Sequence, residues 1–511
     1  MLSPDMDQWY RLGDEDRRIY QLLLPSSHRL LDALEFVPWD AFVPELEAFY
    51  SPDQGQPAIP PLVLFKLEFL RYLCRLSDRE VIARSQSDVL FRWFLQIPVR
   101  CKLPNPSLLT RFRGRLGEQG FQRLFERLID CARKAGVVRD RLRLKDASHV
   151  IANIAVPTTL QLLAQLRERM LQAIDAVDPL VVAGFRVSLE QTRQETAAAN
   201  DAIKLQTRLD LVQDILHWIV QQEPTREVAE SQGWQHLQAV RQLAEKIVDD
   251  ISHPQRGDRT LSVVDPDARR GRHGEYYDGY LLDVLMDADS GLITAVDLLP
   301  ANADEAKETV RLVQAEQQAH LNQIEQLSID AIGFNGEMLR AVGELGVDVV
   351  TVPRDFPCTE GFSQDRFELS EDGLRVTCPA GQPSSYRNTT YPHTTTYQFK
   401  RKVCWSCPLR VQCHPAMTEQ SRKGRSITKN AYALEYERVR AKVGTENYRA
   451  VRRQHPAIER KLNEILRHQR GRFASYWGRA KVAAQQYMTC FAVNVKHLAH
   501  LLKGDPCAAN A

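Results

Sequence analysis

Three acidic residues lie where the carboxylates of a metal-dependent phosphodiester site could be placed. Asp146 ends a short strand-like run, Asp330 ends a second apolar run, and Glu459 lies on a basic helical segment. Mg²⁺ prefers such oxygen ligands, and two ions about 4 Å apart can activate a nucleophile and stabilise the leaving oxygen. In this interpretation Asp146 bridges both ions, while Asp330 and Glu459 each hold mainly one. Taken separately, each acid could also be structural, for example an aspartate in a turn.

Other polar residues near these acids leave alternatives open. Asp265, in the run VVDPDAR, is an alternative first metal ligand in place of Asp146. His149 and Asn153 could orient the site or serve as hydrogen-bonding residues at the end of a strand. Glu464 points about 140° away from Glu459 on an ideal helix, so these two carboxylates cannot share one site.

Positive charge is concentrated in two segments. Residues 449–481 hold ten Lys/Arg against two acids, and residues 102–145 hold twelve against four. Such patches attract the phosphates of a nucleic acid, although the N-terminal one could be a helix-turn-helix reader or merely a solvated helix face. The residues predicted to contact DNA are Arg111, Arg113, Arg115, Arg452, Arg453, Arg460, Lys461, Arg467, Arg472, Arg479 and Lys481.

Half of the ten cysteines gather between Cys358 and Cys413. A C-x-x-C pair with further cysteines on each side is typical of tetrahedral zinc ligation by thiolates. Reduced cysteines that pack a small insertion are the competing explanation. The possible zinc ligands are Cys378, Cys404, Cys407 and Cys413.

The elements that would position the acids change character along the chain. Residues 1–140 read as helices, and helical seams recur in 157–258. Between 259 and 300, three strand-like runs (TLSVVDPDARRG, YYDGYLLDVLMDADSG and LITAVDLLP) predict an antiparallel meander that turns at Asp289-Ser290-Gly291. A helix, a strand, a helix and a strand follow. After residue 471, an apolar stripe that includes Phe491 predicts a helix whose other faces point Arg and Lys outward.

This order of elements predicts a mixed α+β fold, a ribonuclease-H-like mixed sheet flanked by helices. The predicted domains are a helical N-terminal DNA-binding domain (1–140), a catalytic core (141–156 with 259–354 and 440–503), a helical insertion (157–258), a cysteine-rich insertion (355–439) and a disordered tail (504–511).

Composition limits the class of protein. A chain of 511 residues exceeds one hydrophobic core and suggests roughly three domains. The net charge is only +2, so contact with nucleic acid must come from local patches. The N-terminus has no apolar signal region, and no apolar run approaches the ~20 residues that span a bilayer, so we expect a cytoplasmic protein.

The chain resembles the DDE transposases of bacterial insertion sequences. PPLVLFKLEFLRYLCRLSDREV and PNPSLLTRFRGRL look like the helical domain at the start of many of these enzymes. KDASHVIAN and SIDAIGFNGEMLRAVGELGVDVVTVPR are similar to the segments of the first two catalytic acids. CPAGQ with CWSCPLRVQC resembles the family's cysteine-bearing insertion, and IERKLNEILRHQRGRF resembles its glutamate helix.

The resemblance implies a catalytic triad of Asp146, Asp330 and Glu459 that binds two Mg²⁺ or Mn²⁺ ions. It also implies binding to the terminal inverted repeats of a mobile element, DNA strand cleavage, and transfer of the freed 3′-hydroxyls to target DNA. No covalent protein-DNA intermediate is expected. Because two ends must be brought together, a homodimer on DNA is implied, associated with the bacterial nucleoid.

Overall fold

The computed structural model describes residues 1–2, 4–354, 361–391 and 394–504. Cys358 and all but the first residue of the predicted disordered tail lie outside these ranges. Among the described helices, none combines the length and apolar character that a membrane crossing requires. The architecture is a mixed α/β fold with a helical N-terminal region and a curled mixed sheet.

The N-terminal region is helical, as predicted. Its helices are α1 (Pro4–Tyr10), α2 (Asp14–Leu23), α3 (Arg29–Phe36), α4 (Val43–Glu47), α5 (Pro61–Cys74), α6 (Asp78–Ser87), α7 (Val89–Leu95) and α8 (Ser107–Lys134). Ser77 begins α6 with a capping box, since its hydroxyl accepts from the Glu80 amide (3.2 Å) and the Glu80 carboxylate accepts from the Ser77 amide (2.7 Å).

The central sheet combines an antiparallel meander with parallel strands. Its strands are β1 (Leu142–Ile151), β2 (Arg269–His273), β3 (Glu275–Asp287), β4 (Ile293–Pro300), β5 (Gln326–Ser328) and β6 (Asp348–Val350). They run in the order β2-β3-β1-β5-β6, and β4 pairs with β3. The predicted turn joins β3 to β4, with Gly291 at φ 70°.

The first strand of the meander was predicted too early. Residues 260–266 form no strand, and β2 begins only at Arg269. Pro266 has no backbone N–H to donate to a neighbouring strand. The Asp265 carboxylate instead accepts hydrogen bonds from the Tyr280 hydroxyl (2.5 Å) and the Gly478 amide (3.1 Å). Side-chain bonds therefore hold this segment where sheet pairing was expected.

The helical insertion between β1 and β2 has its own core. Its helices are α9 (Thr159–Asp175), α10 (Pro179–Glu195), α11 (Asp201–Val220), α12 (Arg226–Ala229) and α13 (Gln232–Ser252). Leu166 and Ile174 of α9 pack with Val212 of α11 and Val240 of α13, all buried. The predicted helical seams are confirmed.

The remaining elements follow β4. They are α14 (Glu305–His320), α15 (Gly336–Glu344), β7 (Glu368–Leu369), β8 (Val376–Thr377), β9 (Tyr386–Tyr391), β10 (Thr394–Gln398), α16 (Arg401–Trp405), α17 (Arg410–Cys413), β11 (Ser426–Asn430), α18 (Ala433–Lys442), α19 (Glu446–Gln454), α20 (Pro456–Asn463) and α21 (Arg479–Leu502). Strands β9 to β11 form a separate small sheet in the cysteine-rich segment, over a core that includes Phe367 and Tyr397.

Helix α21 is central to the fold, which corrects the prediction of an amphipathic helix with charged outer faces. It is buried on all sides from Val482 to Val495 except at Ala484. The sheet lies against it on one side and the N-terminal helices on another, in one continuous hydrophobic core. Asn494 is fully buried and bonds both the amide (2.9 Å) and the carbonyl (2.7 Å) of Ile293, which fixes the helix to β4. The division into domains stays a prediction.

Stability should fall in mild acid because of His497 on α21. Its ring lies 2.7 Å from the Ser290 carbonyl, and burial, followed by the charge of Lys461, lowers the pKa of His497 from 6.5 to about 4. Below pH 6.5 the unfolded chain therefore binds more protons than the folded one, so the folded state loses stability as the pH falls. Above pH 6.5 the ring is mostly neutral in both states, and His497 no longer makes stability depend on pH. We expect His497 to account for a loss of about 2–3 kcal/mol between pH 6.5 and pH 4, measured by chemical denaturation.

The variant His497→Gln keeps an N–H donor but cannot titrate in this range. Its free energy of unfolding should therefore depend less steeply on pH than that of the parent chain. His217→Gln, at an exposed position of α11, is the matched control for loss of a histidine. Equal pH slopes in the parent and His497→Gln would contradict the prediction.

Candidate active site

The pairing of β1 with β5 brings two of the predicted acids to one edge of the sheet. Leu144 of β1 pairs with Ser328 of β5 in parallel. Asp146 follows Leu144 by two residues, and Asp330 follows Ser328 by two residues. Neighbouring strands lie ≈ 4.8 Å apart. The prediction that Asp146 ends its strand was wrong, because β1 continues to Ile151, while β5 ends at Ser328, two residues before Asp330. The register therefore points these two carboxylates toward one place.

The electrostatics agree with this arrangement. Burial raises the pKa of Asp146 to about 6, and the negative charges of Glu305 and Asp330 raise it further. The hydrogen bond from the Ala147 amide and the charge of Lys145 oppose this shift. Asp146 is half-buried and Asp330 is exposed. One oxygen of Asp330 accepts from the Ile332 amide at 3.0 Å, which orients the carboxylate just past the end of β5. The two acids are thus near enough to interact and remain accessible from solvent.

Helices α19 and α20 position Glu459. His455 joins them with helical backbone angles (φ −51°, ψ −40°), so Arg452, His455 and Glu459 share one helical face. Arg452 donates to the Ile329 carbonyl (2.8 Å) and lies 3.3 Å from the Ser328 hydroxyl. The His455 ring lies 3.1 Å from the same hydroxyl. This face is therefore held against the end of β5.

Arg452 links the second and third acids. Burial lowers the pKa of Arg452, and the negative charges of Asp330 and Glu459 oppose that shift. The exposed Glu459 therefore lies within electrostatic reach of the same guanidinium as Asp330. Carboxylate oxygens are the hard donors that divalent cations prefer, so Asp146, Asp330 and Glu459 fit such ions in donor chemistry. Within the described ranges, no group of three or more His, Cys, Asp or Glu side chains is already arranged to hold a metal ion.

The alternative acids have structural partners. Asp265 is fully buried and bonds Tyr280 of β3 and the backbone just before α21, as described above. Glu464 pairs with Lys461 (3.3 Å) and with Lys496. Both carboxylates have partners within the fold, and this favours Asp146 as the first acid.

His149 and Asn153 hold a loop against the end of β1. The His149 ring contacts Arg472 and stacks 4.9 Å from Tyr277. Burial, followed by the charge of Arg472, lowers the pKa of His149 to about 4. The Asn153 carbonyl accepts from the Trp477 indole at 2.9 Å. The His149 contact fits the strand-end interpretation, whereas the Asn153 bond is made by the backbone, so the role of the Asn153 side chain stays a prediction.

Comparison with known families decides the family. Residues 18–115 match the model described as "Transposase domain (DUF772)", and residues 377–499, which include Glu459, match the "Transposase DDE domain". The chain belongs to the DDE transposases of insertion sequences. The "Uncharacterized protein ORF8 in nfe locus" of Rhizobium meliloti is 27% identical to the transposase over 110 residues, which cover 20% of the chain and 50% of that relative. The alignment thus spans half the length of the curated relative, and no solved structure matches.

The basic residues predicted to contact DNA divide into two groups in the transposase. Arg111, Arg115, Arg453, Arg460, Arg467 and Lys481 are exposed. The others are engaged within the chain. Arg113 forms ion pairs with Glu68 and Asp78, and Lys461 pairs with Glu464. Arg479 forms two bonds of 3.0 Å with Glu118. Arg452 contacts the end of β5, and Arg472 contacts His149. Since acids of the chain neutralise Arg113, Lys461 and Arg479, a DNA-binding surface must depend mainly on the exposed group.

The cysteine-rich segment brings four of its five thiols to one cavity. Cys378, Cys404, Cys407, Cys413 and His414 line a space of about 30 Å³. The Cys404 sulfur lies 3.5 Å from the Arg425 amide, and burial raises the pKa of Cys404 and of Cys413. Both the zinc and the packing interpretations require this convergence, so zinc binding stays a prediction.

Sequence reasoning missed a fourth carboxylate, Glu305. It begins α14 and pairs with Lys145, which is fully buried beside Asp146 and also lies 3.2 Å from Asp283. In the sequence, Glu305 has the ordinary pattern of an acid in the first turn of a helix. Only the packing of α14 on the sheet brings its charge to Asp146.

Proposed function

We propose that this transposase binds the terminal inverted repeats of its own insertion sequence, cuts DNA there and joins the freed 3′-hydroxyls to target DNA. The observation that carries the proposal is the β1-β5 register, which directs Asp146 and Asp330 to one edge faced by the helix of Glu459. A three-strand meander followed by parallel strands and helices supports a ribonuclease-H-like core.

In this mechanism Asp146, Asp330 and Glu459 would hold two divalent cations, Mg²⁺ or Mn²⁺. When bound, these ions lower the pKa of the attacking water or 3′-hydroxyl and stabilise charge on the phosphate. Arg452 and His455 bond Ser328 and keep the face of Glu459 at the strand edge. In the absence of a cation, burial disfavours the ionised form of Asp146, and the negative charges of Glu305 and Asp330 add to this effect. No side chain of the triad acts as the nucleophile, so no covalent protein-DNA bond is expected.

The exposed basic residues are proposed to grip the DNA backbone. Arg453, Arg460 and Arg467 flank Glu459 along the chain, where phosphate contacts would set the register of the scissile bond. Arg111 and Arg115 extend such contacts to α8 of the helical N-terminal region. Because two element ends must be synapsed, we propose a homodimer on DNA at the bacterial nucleoid.

An insertion assay tests the function. The protein is incubated with Mg²⁺, DNA that carries the sequences flanking its gene, and a supercoiled target plasmid. We expect insertions flanked by short target duplications, detected by sequencing the junctions. Omitting the divalent ion should eliminate them, and their absence under all ionic conditions would contradict the proposal.

Two other functions give different products in this assay. A metal-dependent nuclease on the same fold would cut the DNA without making insertions. A catalytically inactive DNA-binding protein would retard the DNA with or without Mg²⁺ and leave no nicks. The β1-β5 register and the docking of the Glu459 helix against the end of β5 support the transposase over the second of these.

A further inference from the structure

The helical insertion carries a basic groove that lies outside the proposed catalytic residues. The groove has a volume of about 830 Å³ and is formed by α9, α10 and α11. Its cations are Arg167, Arg186, Arg193, Lys204 and Arg208, and its acids are Glu168 and Glu190. Residues 157–258 as a whole hold ten Lys/Arg and fifteen Asp/Glu. The groove therefore collects half of the cations of an acidic segment and only two of its acids.

The acids of the groove do not neutralise all of its cations. Glu168 pairs with Arg186 at 3.0 Å, and Glu190 lies 3.8 Å from Arg193. Arg208 donates to the Leu160 carbonyl at 2.6 Å, which leaves its charge without an acid partner in the described part of the chain.

Arg167 lies in an environment that is unfavourable for its positive charge. Its Nε is buried and has no hydrogen-bond partner among the described residues. Burial, followed by the charge of Arg208, lowers the pKa of Arg167. Like charges held together in a partly buried groove repel one another, and a bound anion removes that repulsion.

We propose that this groove binds the phosphodiester backbone of double-stranded DNA. The inference rests on the proposed function, which supplies DNA as the partner, and it adds the insertion to the DNA-binding surface. The groove is larger than one phosphate requires, and Arg193, with 83% of its side chain exposed, extends the positive charge to its rim. Thr192, Thr196 and Thr207 line the same groove, but their hydroxyls already donate to the carbonyls of Ser188, Thr192 and Ile203. The cations of the groove therefore supply the proposed contacts to phosphate oxygens.

The test is charge reversal in the full-length protein with the double variant Arg193→Glu/Lys204→Glu. Binding to a fluorescent duplex of arbitrary sequence is measured by anisotropy over a range of salt concentrations. Each lost phosphate contact lowers the slope of log K against log salt by about one, so we expect a decrease of about two and a roughly tenfold or greater rise in Kd at low salt.

Two further variants make the result specific. Arg226→Glu/Arg256→Glu changes the charge of the same insertion equally but lies outside the groove, so it should retain most of the affinity. Arg193→Gln/Lys204→Gln removes the two charges without adding acids and should still lower the salt slope by about two. Thermal unfolding of each variant confirms that it is folded.

The outcomes separate this inference from the proposed function. If the groove variants bind DNA as the control does, the groove inference is overturned even where the parent protein cleaves and joins DNA. If the groove variants lose affinity but the parent never cleaves with Mg²⁺, the groove stands and the transposition mechanism fails. Unchanged DNA binding with loss of self-association would assign the groove to a second copy of the chain and overturn the inference.

Discussion

Replacing Asp146, Asp330 or Glu459 by alanine should lower strand cleavage by roughly a thousandfold or more. The reason is that each substitution removes an oxygen ligand from the proposed cation pair, so charge on the attacking and leaving oxygens is no longer stabilised. DNA binding should change little, since the exposed arginines that grip phosphates remain. The measurements are the rate of strand cleavage with Mg²⁺ and the Kd for the same end-bearing DNA.

Glu464→Gln is the matched control for these variants. Glu464 follows α20 on the same segment as Glu459, but it pairs with Lys461 and Lys496. Its loss should leave the cleavage rate within a fewfold of the parent value. Cleavage retained by any one of the three alanine variants would remove that residue from the triad.

Phe491→Ala should cost about 3–5 kcal/mol of stability, the largest effect expected for a single residue of the core. Phe491 is 1% exposed, and its ring lies 5.1 Å from that of Phe65 and 5.5 Å from that of Phe42. Trp39 and Phe69 complete the cluster at 6.3 Å and 6.2 Å. These four rings belong to the N-terminal region, while α21 also packs against β4. The cavity left by the missing ring would therefore weaken the packing of α21 against both the N-terminal region and the sheet.

Hydrogen exchange followed by mass spectrometry can test this coupling. Peptides from α5 and from β3 and β4 should lose protection together in Phe491→Ala. Phe473→Ala removes a phenyl ring that is 61% exposed and should change stability by less than about 0.5 kcal/mol. Loss of protection confined to the N-terminal peptides would show that these helices form an independent domain and contradict the shared core.

Several parts of the fold could be predicted because they depend on neighbours in the sequence. The capping box at Ser77, the turn at Gly291 and the apolar spacing on α9 each involve residues a few positions apart. The helix from Glu305 to His320 also follows from its own acidic first turn and periodicity. These interactions form whenever the local chain adopts the right backbone angles, so a local pattern is sufficient to indicate them.

Where local patterns failed, a distant partner decided the outcome. The run around Asp265 reads as a strand, but Tyr280 and Gly478 bond its carboxylate. The stripe on α21 reads as one face of a surface helix, although the N-terminal helices and the sheet enclose the helix from different sides. Arg113 and Arg479 read as ligands for phosphate, and this stays a prediction, but in the folded chain Glu68, Asp78 and Glu118 pair with them.

The sequence by itself determined the types of the catalytic candidates, the strand or helix that positions each of them, and the family that they resemble. Only the tertiary structure decided that Asp146 and Asp330 are aligned by the pairing of β1 with β5, that the face of Glu459 is held there through Arg452 and Ser328, and that Glu305 adds its charge. The physical reason is that strand register and helix docking depend on side chains far apart in the chain, whose mutual fit no local periodicity records.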